Sequence, residues 1–136
     1  MQATNTSQIG KAKIMKISYP TAGMVSVWIG SFTSENDFDQ CVDGPITKAL
    51  GLKTPLNRIC EVSFEVEAAP VRKLLEGFSG WKSFVDQAEQ IANVRGLQTA
   101  NAALVCYHLK CEDSPEAWDK MQFLGSFAGQ DRSGNQ

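Results

Sequence analysis

The chain has 136 residues, of which 43% are hydrophobic and 21% are charged, and its formal net charge is −2 at pH 7. A chain of this length fits one domain and can bury a core without a metal or a disulfide. The composition argues against a disordered or fibrous protein, and the apolar runs are far shorter than the roughly 18 residues that span a bilayer. We therefore expect a single domain that is not a membrane protein.

The charge is distributed unevenly along the chain. Residues 1–23 contain three Lys and no acidic residue, whereas residues 24–128 contain nine Lys and Arg against fourteen Asp and Glu. The acidic balance argues against binding to nucleic acid, which needs a basic surface, and it favours a basic partner. Charge that serves only solubility is the alternative explanation.

Both ends of the chain are polar and lack periodicity. We predict a flexible basic extension over residues 1–23, within which residues 12–19 are a candidate for a short edge strand, and a disordered tail over residues 129–136. The predicted domain covers residues 24–128. The chain starts without the apolar segment of a secretory signal, so we expect a cytoplasmic protein whose four cysteines are reduced thiols.

The first predicted elements are a strand and two short helices. Residues 25–31 are β-branched and aromatic, which predicts a strand. Ser34, with Asp37 three residues later, predicts the N-cap of a helix. Pro45 predicts the first turn of a second short helix, and Gly51 predicts its end.

Residues 59–67, ICEVSFEVE, are the clearest predicted strand. Their apolar side chains alternate with a polar row. That row consists of Glu61, Ser63, Glu65 and Glu67. Such alternation implies that one face of the strand is in water, at an open sheet face or at an edge. Like charges on one face repel each other and do not help folding. We interpret the row as a binding surface for a basic partner, or as protection of an exposed strand against aggregation.

Two helices and two strands follow. Pro70 precedes a short helix that Gly77 ends, and a longer helix is predicted over residues 80–95 with one apolar stripe. The stripe consists of Trp81, Phe84, Val85, Ala88, Ile91 and Ala92. We predict strands over residues 101–109 and 120–128, joined by a polar loop. The order β-α-α-β-α-α-β-β predicts an α+β fold with a mixed, largely antiparallel four-stranded sheet packed with helices.

Two pentapeptides repeat one pattern, WIGSF at residues 28–32 and FLGSF at residues 123–127. A phosphate-binding loop would join a strand directly to a long helix and would carry several glycines. Each pentapeptide has a single glycine. We therefore predict that Gly30 and Gly125 are sheet positions where a bulge, or close packing against an aromatic ring, requires the absence of a side chain.

One cluster has the residue types of a metal site, the pattern C-x-H-x-x-C formed by Cys106, His108 and Cys111. Zinc needs a fourth ligand and usually a C-x-x-C pair, and neither is evident. Cys106 and His108 are also poorly placed as a nucleophile and its base, because they are only two residues apart on a strand. We predict no metal, no cofactor and no catalytic residue.

The polar loop before the last strand contains a second candidate binding surface, formed by Glu112, Asp113 and Trp118. Trp is common among the residues that contribute most to protein–protein binding. Covering the core is the alternative role for Trp118.

Several short motifs follow each other as they do in the bacterial immunity protein 22 family. They are MVSVWIGSF, TSENDF, EVSFE, LLEGFS before a helix that starts at a Trp, and KMQFLGSF. The chain resembles this family over residues 24–127. The resemblance implies a small cytoplasmic α+β protein that binds and neutralises a polymorphic toxin. Its motif residues are apolar or glycine, so it implies no catalytic residue; they are Trp28, Gly30, Phe32, Phe64, Gly77, Phe78 and Gly125.

The residues and the resemblance together predict a non-catalytic inhibitor whose partner is a cognate toxin domain, with no nucleic-acid or membrane partner. An acidic inhibitor suits a nuclease, because the active cleft of a nuclease must be basic. An adaptor domain without a toxin partner and a small enzyme are the alternatives. The sequence leaves the identity of the toxin and the oligomeric state open.

Overall fold

The computed structural model describes residues 16–113, 117–118 and 120–129. The strands are β1 (Lys16–Ser18), β2 (Met24–Gly30), β3 (Cys60–Pro70), β4 (Thr99–Tyr107), β5 (Lys110–Asp113), β6 (Ala117–Trp118) and β7 (Met121–Ala128). The helices are α1 (Glu35–Cys41), a π-helical turn (Val42–Ile46), α2 (Thr47–Leu50), α3 (Leu56–Ile59), α4 (Val71–Leu75), a 3-10 turn (Trp81–Ser83) and α5 (Val85–Val94). Across these residues, each helix is too short or too polar to cross a membrane.

The main sheet has five strands in the order β3-β4-β2-β7-β6. Its four long strands correspond to the four that the sequence predicts, and β6 adds two residues at one edge. Every pairing among the described strands of this sheet is antiparallel. The predicted α+β fold is confirmed.

Helices cover both faces of the main sheet. On one face, α4 and α5 pack against the strands, and the predicted apolar stripe is buried there, with Phe84 at 1% exposure and Trp81 partly buried beside it. On the other face, the segment from α1 to α3 encloses a second cluster that includes Trp28 and Leu104. The sheet is therefore the middle layer of three, and each of its faces contributes to a core.

The segment from α1 to α2 is one continuous run of helical turns. Ser34 caps α1 as predicted, because its Oγ accepts a hydrogen bond of 3.1 Å from the backbone N–H of Asp37. Pro45 does not begin a separate helix, which corrects the prediction; it lies inside the π-helical turn between α1 and α2. Pro has no N–H to donate, and the Thr47 hydroxyl donates a 2.6 Å hydrogen bond to the carbonyl of Val42 in this turn. Gly51 ends α2 with a φ of 62°, as predicted.

A small second sheet forms from the candidate edge strand within residues 12–19, which is observed at Lys16–Ser18, and from a segment outside the predicted strands. β1 pairs with β5 in antiparallel orientation, and Ile17 and Tyr19 pack against the cluster under α1. Residues 16–23 of the predicted extension are thus part of the folded unit. β5 lies where we predicted a polar loop. Residues 1–15 and 130–136, which make up the rest of the predicted extension and tail, lie outside the described residues.

Gly30 and Gly125 are sheet positions, as predicted. A Cβ on Gly30 would lie 2.7 Å from Sδ of Met121 and 2.8 Å from the carbonyl oxygen of Lys120. Gly125 has a φ of 145°, lies beside a register shift between β2 and β7, and would place a Cβ 3.0 Å from the ring of Phe127. Gly30 therefore allows β2 to pack closely against β7, and Gly125 allows the ring of Phe127 to lie close to its own strand.

Candidate protein-binding edge at strand β3

Strand β3 forms one edge of the main sheet, since β4 is its sole neighbour among the described strands. Its pairing runs from Cys60, opposite Cys106, to Phe64, opposite Ala102. The sequence predicted an open sheet face or an edge, and the structure shows an edge. Helices cover both faces of the sheet, so the outer side of β3 is the part of its backbone that the described residues leave open to a partner.

Residues 65–68 leave the ladder as a bulge on this edge. Pairing resumes at Ala69, opposite Ala100, so that four residues of β3 face a single residue of β4. All four are exposed, and Val66 reaches 88% exposure. Bulges of this kind turn an edge strand away from unwanted pairing. Here the bulge also presents an exposed aliphatic side chain between Glu65 and Glu67.

The β4 residue opposite the bulge is Asn101, which sequence analysis did not single out. Its Oδ1 accepts a 2.9 Å hydrogen bond from the backbone N–H of Phe32, and its Nδ2 donates a 2.7 Å hydrogen bond to the Phe32 carbonyl. Asn101 is 7% exposed. Its amide therefore pairs with Phe32 as a strand backbone would, and it holds the chain that leaves β2.

Glu61 is half-buried and hydrogen-bonded, unlike the exposed Glu65 and Glu67, and its role in binding stays a prediction. It accepts hydrogen bonds from the backbone N–H of Ser79 at 2.9 Å, from Ser79 Oγ at 2.7 Å and from the Tyr107 hydroxyl at 3.1 Å. Tyr107 is fully buried and also contacts the Ser79 carbonyl at 2.8 Å. The layer that contains α4 packs on this face of β3, and Glu61 joins β3 to the turn after α4.

We expect Glu61→Ala to lower the free energy of unfolding by about 1–3 kcal/mol, because it removes the acceptor of three hydrogen bonds around a buried Tyr. Glu65→Ala is the matched control on the same strand and should stay within about 0.5 kcal/mol of wild type. Urea denaturation followed by fluorescence measures both. Equal effects of the two substitutions would contradict the assignment of Glu61 as a structural residue.

Two grooves flank β3. The polar groove, of about 440 Å³, lies between β3 and the turn after α4, and its lining includes Glu61, Ser63 and Ser79. The apolar groove, of about 160 Å³, lies on the other face, where Val62 and Leu56 meet Asp39 and Asp43. Ser63 is half-buried in the polar groove. An occupant of the β3 edge would therefore meet a hydrogen-bonding surface on one side and an aliphatic surface with acidic neighbours on the other.

The second candidate surface is only partly described. Glu112 is exposed in β5 and accepts a hydrogen bond from the Ser18 hydroxyl. This hydrogen bond lowers the pKa of the Glu112 carboxyl, and the charges of Lys110 and Lys16 lower it further. The side chains of Asp113 and Trp118 lie outside the described residues. The backbone of Trp118 is in β6, at the opposite edge of the main sheet from β3. The structure thus separates Trp118 from the β3 edge, and a role in binding stays a prediction.

Cys60 and Cys106 form a disulfide that links β3 to β4. The two residues are directly opposite each other in the ladder, with Cα atoms 4.1 Å apart. The prediction of four reduced thiols is wrong for this pair. The sequence did not indicate the bond, because 46 residues separate the two cysteines along the chain and the strand register brings them together. Cys106 is therefore not available as a ligand in C-x-H-x-x-C, and the described residues contain no group of three metal-binding side chains.

Cys111 is a free thiol in a largely buried position beside Ser126, whose Oγ accepts a 2.9 Å hydrogen bond from the Cys111 backbone N–H. Burial raises the pKa of its thiol to about 11, and hydrogen bonds with Ser26 and Ser126 oppose that shift. A thiol with so high a pKa is protonated at neutral pH and is a weak nucleophile. His108, the remaining member of the motif, lies in a turn with a φ of 61°.

Comparisons of the chain with models of known protein families, with curated proteins and with solved structures found no significant match. The resemblance to the immunity protein 22 family is not tested by that result and stays a prediction.

Proposed function

We propose that the chain is a non-catalytic immunity protein that binds and neutralises a cognate toxin domain through the edge of β3. The observation that carries the proposal is the bulge at residues 65–68, where Val66 is 88% exposed between two exposed glutamates at an edge without a neighbouring strand among the described residues. Val62, which is 52% exposed on the same strand, adds a second exposed aliphatic side chain, and two such side chains with acidic neighbours suit a partner contact.

Charge defines the kind of partner. Residues 24–128 carry fourteen Asp and Glu against nine Lys and Arg, and the bulge presents Glu65 and Glu67 in water. Opposite charge on a partner accelerates association and discriminates against acidic competitors. A nuclease domain, whose cleft must bind phosphates, has the complementary charge. We therefore propose a basic toxin domain, with a nuclease as the first candidate.

The size of the surface suits an inhibitor. Inhibitor complexes of standard size bury roughly 800 Å² on each partner. The β3 edge, its bulge and the two flanking grooves form one continuous region on which such a contact fits. We propose the cytoplasm as the location of the complex, a compartment in which disulfides such as Cys60–Cys106 are rare.

The proposal is tested by co-expressing the chain with the toxin domain encoded beside its gene and by measuring survival and binding. Wild type should restore growth. Glu65→Gln with Glu67→Gln should slow association several-fold and weaken its dependence on salt, with a smaller effect on dissociation. The matched control is Asp86→Asn with Glu89→Gln on α5. It removes the same charge, together with two surface ion pairs to Arg72, and it should associate like wild type.

Each outcome has a separate meaning. No protection by wild type and no complex in calorimetry would overturn the immunity function. Binding without protection would favour an adaptor domain. Protection with equal association rates for both double variants would retain the function and reject the β3 edge as its surface.

A further inference from the structure

We propose that the outer edge of β3 binds an extended basic segment of the partner by strand addition, with alternate side chains of the segment in the polar groove and the apolar groove. In the cell this mode of binding rests on the proposed function, because the segment then belongs to the toxin domain. Strand addition specifies an extended geometry and an alternating residue pattern for the partner segment, and charge alone specifies neither of them.

The backbone N–H and C=O groups of successive β3 residues point alternately toward β4 and away from it. The Cα atoms of Cys60 and Cys106 are 4.1 Å apart, which is the close spacing of a non-hydrogen-bonded pair in an antiparallel ladder. Such pairs alternate with hydrogen-bonded pairs, so Val62, opposite Leu104, and Phe64, opposite Ala102, are of the same type. The N–H and C=O groups of Val62 and Phe64 therefore point away from β4, toward the side of β3 where the described residues supply no strand.

The open part of this edge is short, because it is bounded at both ends. At its start, α3 leads into β3, and the backbone N–H of Cys60 is already bonded to the carbonyl of Leu56. At its end, the bulge at residues 65–68 interrupts the strand. The available edge is centred on Val62, whose side chain is 52% exposed. It accommodates a segment of roughly five residues, enough for the hydrogen-bonded pairs at Val62 and Phe64.

The two grooves beside β3 define the side-chain pattern of the partner segment. Successive side chains of an added strand point to opposite faces of the sheet. On one face they reach the apolar groove at Val62 and Leu56, and on the other they reach the polar groove at Ser63 and Ser79. Acidic side chains lie along the edge, at Asp39, Asp43, Glu65 and Glu67. The complementary segment alternates aliphatic residues with Lys or Arg.

A second copy of the chain is a poor occupant of the same edge. Two copies that pair antiparallel about Val62 would bring the bulge of each against α3 of the other, since residues 65–68 and Leu56–Ile59 lie on opposite sides of Val62. Both copies are also acidic over residues 24–128. Charged residues and bulges at an edge oppose such self-pairing, whereas they attract a basic segment.

The test uses a synthetic peptide with capped ends, Ac-KVKVKVK-NH2, and the full chain labelled with ¹⁵N. The expected result is saturable binding, with the largest amide shift changes at Val62 and Phe64 and slower hydrogen exchange of both amides. The acidic peptide Ac-EVEVEVE-NH2 should not bind. A peptide with N-methyl groups on its valines, which lack N–H donors, should bind at least about tenfold more weakly.

The N-methylated peptide leaves the protein unchanged, so it tests backbone pairing without any effect on folding. On the protein side, Val62→Pro removes an outward N–H that β4 does not use, a substitution that edge strands tolerate, and it should weaken peptide binding by about tenfold or more. Val62→Thr keeps the N–H and the shape of the side chain, and it should bind within about threefold of wild type.

Absence of binding by the basic peptide, equal binding of its N-methylated form, or shift changes centred away from β3 would each overturn the inference. The rescue assay separates it from the proposed function. If folded Val62→Pro protects cells as well as wild type does, toxin recognition by strand addition is wrong and the immunity function stands. If the peptide binds as expected and wild type does not protect, the immunity function fails and the strand-binding edge stands.

Discussion

Breaking the Cys60–Cys106 disulfide is expected to lower the free energy of unfolding by about 4 kcal/mol. The two cysteines are 46 residues apart, and closing a loop of this length restricts the unfolded chain by about that amount. Urea denaturation of the oxidised protein, of the same protein in a reducing agent and of Cys60→Ala with Cys106→Ala measures the effect. Cys111→Ala is the control, and reduction should still destabilise it as much as it destabilises wild type.

A count of thiols provides an independent check. In denaturant without a reducing agent, two of the four cysteines should react with a thiol reagent, Cys41 and Cys111, and reduction should expose all four. Four reactive thiols before reduction, together with an unfolding midpoint that does not depend on the reducing agent, would show that the pair is not bonded in solution.

Replacing Asn101 by Ala is expected to cost about 2–4 kcal/mol of unfolding free energy. The substitution removes both partners of the Phe32 backbone groups, which lie 2.9 Å and 2.7 Å from the Asn101 amide, and each buried group left without a partner costs about 1–3 kcal/mol. Asn93→Ala is the control, because Asn93 is exposed on α5, and it should stay within about 0.5 kcal/mol of wild type.

Asn101→Asp separates the two hydrogen bonds. It keeps an acceptor for the Phe32 N–H and loses the donor to the Phe32 carbonyl, so it should also destabilise the fold and should do so more at neutral pH, where the buried carboxylate is charged. A stability of Asn101→Ala equal to that of Asn93→Ala would contradict the role of Asn101 in holding the chain after β2.

Only part of the candidate binding surface could be predicted from the sequence, and the reason is physical. Alternation along residues 59–67 predicts a strand with one polar row, and Glu65 and Glu67 are indeed exposed. Alternation cannot tell which helix packs over the row. Glu61 has the same residue type and spacing as Glu65, yet Ser79 in the turn after α4 and Tyr107 at the end of β4 supply the hydrogen-bond partners that make it structural. The bulge at residues 65–68 has no sequence signal of its own, because it follows from the register of β3 on β4.

By itself, the sequence determined the features whose causes are local. The apolar stripe before and within α5, the cap at Ser34, the end of α2 at Gly51 and the glycine at position 125 depend on side chains within a few residues of one another. The tertiary structure alone decided that β3 is an edge strand, that Cys60 lies opposite Cys106 and that β1 pairs with β5. These features depend on strand order and register, which arise from contacts between residues far apart in the chain, and local periodicity does not encode such contacts.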